Sequence, residues 1–134
     1  MYNMTKDSIE GKDGGVIYNK FFEMLINIKV AHLMTTSFAK HKATNSLYDD
    51  INRLYDKFLE VYIGKYGRQN FKSTQTIAYK HLTDDKFLEY LKQLIKYFNV
   101  DILKILDKTD TDLLTIIDEI KISLNRTVYL LTLR

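Results

Sequence analysis

The sequence predicts an all-α protein, a bundle of four helices, and three observations carry that expectation. Pro is absent and Gly numbers 5 in 134 residues, whereas sandwiches and barrels need turn residues at short intervals. Apolar residues recur at three-and-four spacing over long stretches, the pattern that lines one face of a helix. Hydrophobic residues make up 46% of the chain and charged residues 28%, which supplies both a core and a hydrated surface. One core is expected, since single domains typically run to ~100–200 residues.

Residues 1–15 are rich in small and charged side chains and end in Gly14 and Gly15, so they read as a flexible N-terminal segment ahead of a bundle domain over 16–134. The first helix is expected from Val16 to about Phe38, where Tyr18, Phe21, Leu25, Ile28 and His32 share a face. A second period runs through Leu47, Ile51, Leu54, Phe58 and Val61. Tyr48, Tyr55 and Tyr62 lie alongside it as packing at the core edge, and the helix should stop near Gly64 and Gly67. Residues 67–83 lose the period and read as a long crossover between the second and third helices, with room for a short helix in which Phe71, Ile77 and Tyr79 pack locally. Thr83, Asp84 and Asp85 offer a cap and favourable charge for the third helix, which carries Phe87, Leu91, Leu94 and Phe98 and bends at Asn99 to Asp101. Thr109 and Asp112 read as a capping box opening the fourth helix, with Leu113, Ile116, Ile117, Ile120 and Leu124 inward.

Composition also excludes chemistry. Without Cys there is no disulfide framework, thiolate metal site or cysteine nucleophile. The formal charge of +3 comes from 20 basic and 17 acidic residues mixed along the chain, which does not point to a nucleic-acid partner. The first residues carry no apolar signal core, and no window approaches the ~20 apolar residues of a spanning helix, so the expected setting is the cytoplasm, away from membranes. No Gly-rich phosphate loop, HExxH or Gly-x-Ser-x-Gly motif is present.

The residues left to carry chemistry are few. His32 lies in the apolar stripe of the first helix, where the ordinary role is a core histidine satisfied by a hydrogen bond. His41 follows near the junction with the second helix. At ~100° per residue, Asn45, Asp49, Asn52, Asp56 and Glu60 share a sector opposite the Leu47, Leu54 and Phe58 stripe. A solvated polar face is the ordinary reading, but Leu59 and Ile63 lie in or beside the same sector, which suggests that it is covered by something else, such as another subunit. Imidazoles with carboxylates form a donor set that iron accepts.

The stretch KVAHLMTTSFAKHKATNSLYDDINRLYDKFLEVY resembles the corresponding segment of the Dps-like miniferritins, a branch of the ferritin-like superfamily. The resemblance implies a ferritin-like four-helix bundle in which His32 and His41 of one copy meet Asp56 and Glu60 of another across a two-fold interface. Lys29 and Asn45 would support those ligands. It further implies iron binding, oxidation of Fe(II) as a ferroxidase, and a homo-oligomer, at least a dimer and at most a closed cage. The alternative is a non-catalytic ferritin-like bundle that serves as a structural or interaction module of a virus or phage, placed in the host cytoplasm or the virion.

Overall fold

In a computed structural model, residues 16–68 and 73–133 are described, so the expectation for residues 1–15 lies outside them, as does Phe71. The chain is all-helical there: α1 (Val16–Met34), α2 (Phe38–Tyr66), α3 (Asp84–Lys96) and α4 (Thr111–Leu130), with no strand among the described residues. After α3 the backbone widens into a π turn at Tyr97–Asp101 and then tightens into a 3-10 turn at Ile102–Lys104, where the sequence placed its bend.

Local chemistry sets the helix ends. The first helix stops at Met34, short of the expected Phe38, because Ser37 caps the next one: its hydroxyl accepts from Lys40 N at 3.3 Å. Gly67, at φ 87°, ends α2 by donating its N–H to Ile63 O at 2.7 Å. Thr83 caps α3 as expected, accepting from Lys86 N. The capping box expected at Thr109 and Asp112 is not formed. Asp110 occupies the cap position of α4 without a capping bond, since its carboxylate is committed elsewhere.

The longest helix, α2, packs against α1 and α4, and α3 packs against α4. Phe21 of α1, Phe58 of α2 and Phe98 of the π turn meet at the centre, with ring centroids 5.5 and 5.9 Å from Phe21. Around them Met24, Ile28, Ile51, Leu91, Ile120 and Leu124 are fully buried. Burial of this apolar surface, worth roughly 25 cal/mol per Å², is what holds the helices together.

Polar contacts fix the ends. The start of α3 sits beside the α1–α2 turn, where Lys40 Nζ lies 3.3 Å from Asp84 Oδ2 and Thr35 donates to the same oxygen at 3.4 Å. The start of α4 sits beside the end of α2, where Lys65 Nζ lies 2.7 Å from both Asp110 and Asp112. Between α2 and α3, the described residues 73–82 form no helix and lie as a strap along α1, held by Asn19 to Gln75 and by Lys80 N to Asn27 Oδ1.

Candidate functional site

His32 comes from the last turn of α1 and His41 from the first turn of α2, and the short connection folds them face to face. Their rings stack with centroids 3.9 Å apart and planes 20° from parallel. Each Nδ1 lies 2.9 Å from the other residue's backbone carbonyl oxygen. A carbonyl can only accept, so both Nδ1 atoms carry the proton, and in the neutral rings both Nε2 atoms hold free lone pairs. Thr44 sits beneath, with its hydroxyl 3.3 Å from His32 Nδ1 while it donates to Lys40 O at 2.8 Å. His32 is buried among these partners, as a core histidine should be.

Asp56 and Glu60 lie farther along α2 and are exposed, on the side opposite its buried stripe. The Glu60 carboxyl is held above its ordinary pKa, first by a hydrogen bond shared with Asp56 and then by that residue's charge. Tyr55 is raised by burial and next by the charge of Asp56. Two like charges therefore sit side by side, a placement that a cation or a protonated partner relieves.

Asp56 follows His41 by 15 positions (56 − 41) on one continuous helix. At 1.5 Å per residue the two pairs are about 22 Å apart, so one copy does not close a four-ligand site. Among the described residues no three His, Asp or Glu gather to hold a metal ion. Lys29 lies 4.3 Å over the Tyr48 ring, and Asn45 is exposed. Leu59 is buried in the copy's own core, so it does not mark an outside contact.

Sequence reasoning missed two arrangements. Asp110 is buried and accepts from Tyr66 Oη at 2.6 Å and from Asp107 N at 2.9 Å, besides pairing with Lys65. Asp50 of α2 accepts from Ser123 of α4 at 2.9 Å. Apart from the Asp107 amide, these partners are more than 40 positions away, beyond any local pattern.

The fold and these pairs define an all-α bundle with a histidine clasp at one end of α2 and an acidic pair toward the other. The family model described as Family of unknown function (DUF5856) matches residues 32–131, and the chain belongs to that family. His32, His41, Asp56 and Glu60 lie within the matched span. No curated protein and no solved structure matches the chain. No described helix is long and apolar enough to cross a membrane.

Proposed function

We propose that this chain is a ferritin-like subunit of the miniferritin kind, which takes Fe(II) as substrate between two-fold related copies and oxidises it with peroxide or oxygen. The observation that carries the reading is the division of the donor set. Two imidazoles with free Nε2 atoms meet where α1 turns into α2, and two mutually repelling carboxylates lie about 22 Å farther along α2. Two such helices lying antiparallel would bring the imidazoles of each copy to the acids of the other. His32, His41, Asp56 and Glu60 are the ligands in this reading, and Asn45, between them on α2, supports them.

Other features agree with it. With the start of α3 beside the α1–α2 turn and the start of α4 beside the end of α2, the α2–α3 connection reads as the lengthwise crossover of ferritin-like bundles. A largely apolar trough on the α1–α2 side, lined by Leu25, Ile26, Val30, Tyr48 and Tyr79 together with Lys29, offers a second copy something to cover.

A second reading also has an observation in its favour. The reciprocal Nδ1 bonds and ring stacking account for both histidines as a clasp that locks the α1–α2 turn, with no ligand needed. On that reading the bundle is a non-catalytic structural or interaction module.

Iron oxidation separates the two. Ferric absorbance after adding Fe(II) and peroxide to the purified chain should rise over a protein-free control, and Asp56→Asn and Glu60→Gln should each slow it at least tenfold. Both positions are exposed, and each change relieves like-charge repulsion, so melting temperature should hold or rise. Equal rates in wild type and both variants would leave the module reading.

A further inference from the structure

Asn27 is buried on α1, and the contacts of its amide fix how that amide is oriented. The backbone N–H of Lys80 can only donate, and it does so at 3.1 Å, so the atom that faces it is Oδ1. The other end is the NH2 group, which donates to the Tyr90 hydroxyl oxygen at 3.1 Å. Tyr90 therefore accepts from Asn27, and its own proton must be directed at a different acceptor. None is found among the described residues. Burial pushes the Tyr90 pKa up to about 12, with the Asn27 bond partly opposing and the charge of Glu23 adding to it, so the proton stays in place at neutral pH.

Tyr90 borders a half-open cavity of about 500 Å³ between α1, α3 and the strap. Its size falls in the ~300–1,000 Å³ range of small-ligand sites. Lys20, Lys80 and Lys86 line it together with Glu23 and Glu89, so the lining carries three cations against two carboxylates, a net +1. Leu82 and Leu94 add apolar wall. We propose that this cavity binds a small organic carboxylate, whose oxygens accept from the Tyr90 hydroxyl and from a lysine ammonium. A monoanion balances the lining, whereas a second negative charge would face Glu23 and Glu89 uncompensated. Gln93 lines the cavity together with those ionic side chains, so the room beyond the head group suits a short skeleton of hydroxyl-bearing carbons.

The test is amide NMR of the full chain titrated at constant ionic strength with sodium acetate, sodium gluconate and inorganic phosphate. Saturable shifts at Asn27, Lys80 and Tyr90 are expected with both carboxylates, and gluconate should bind more tightly because it fills the cavity. Tyr90→Phe, with native dispersion retained, should weaken gluconate about tenfold, the usual cost of losing a hydrogen bond to a charged group. Lys80→Gln should weaken it severalfold, and Arg53→Gln, on the α2–α4 side, should leave it unchanged. Tighter binding of phosphate than of either carboxylate overturns the ligand class. Absence of saturable shifts overturns the site, since the Tyr90 proton is then met by water alone. If Tyr90→Phe does not fold, unchanged gluconate affinity in Lys80→Gln overturns it equally.

Discussion

Asp110 shows how much of this fold depends on one carboxylate. It is buried, and it gathers Lys65, the Tyr66 hydroxyl and the Asp107 amide at the junction of α2 and α4. Asp110→Ala should cost about 2–4 kcal/mol in urea unfolding, because it takes one buried acceptor from the Lys65 ammonium, the Tyr66 hydroxyl and the Asp107 amide at once. The neighbouring Asp112 is held below its ordinary pKa, first by its hydrogen bond to Lys65. A depressed carboxylate contributes stability that is present above its unfolded pKa of ~3.9 and is lost as pH falls through the folded value. Asp112→Asn should therefore be less stable than wild type at pH 7, and the gap should close as the pH of the unfolding experiment drops below about 4. Lys65 is shifted upward by the same two acids, so its contribution is full at neutral pH and fades only in strong alkali. None of this network was legible in the sequence, where Asp110 is one more acid in a polar stretch. The burial of His32 was legible, because its position in an apolar stripe states which way it faces. Its stacking on His41 was not, because that depends on where α1 stops.

At the scale of elements, the two glycines near the end of α2 make opposite demands. Gly67 sits at φ 87° with open space around it, so the cost of a side chain there is conformational alone. Gly67→Ala should destabilise the protein by about 1 kcal/mol in denaturant titration. Gly64 lies inside α2 with nothing within 4 Å of a built Cβ, and Gly64→Ala should stabilise by about 0.5–1 kcal/mol through helix propensity. Opposite signs at positions three apart would separate backbone geometry from composition. Helix identity was largely readable from period and caps, as at Thr83. Boundaries were less so, because Ser37 and Thr109 both resemble caps and only the surrounding contacts decide which one acts.

For the whole molecule, the question is whether one copy is a complete unit. The histidine pair at the α1–α2 turn and the carboxylate pair farther along α2 are about 22 Å apart, so the iron reading requires a second copy, and sedimentation analysis should show at least a dimer. Lys substitutions in the apolar trough, such as Ile26→Lys with Val30→Lys, should shift that dimer to monomer and abolish iron oxidation together. A monomer at all concentrations would remove the iron proposal and leave the helical bundle, its Asp110 lock and the carboxylate cavity untouched.

The sequence by itself determined that the chain is helical, where most of the helices fall and which stripes turn inward, because periodicity and capping act over a few residues. Tertiary structure alone decided that Asp110 is buried, that Asn27 orients the Tyr90 hydroxyl, and that the two imidazoles stack. Each of these joins residues brought together by the packing of separate elements, and a local pattern carries no information about how separate elements meet.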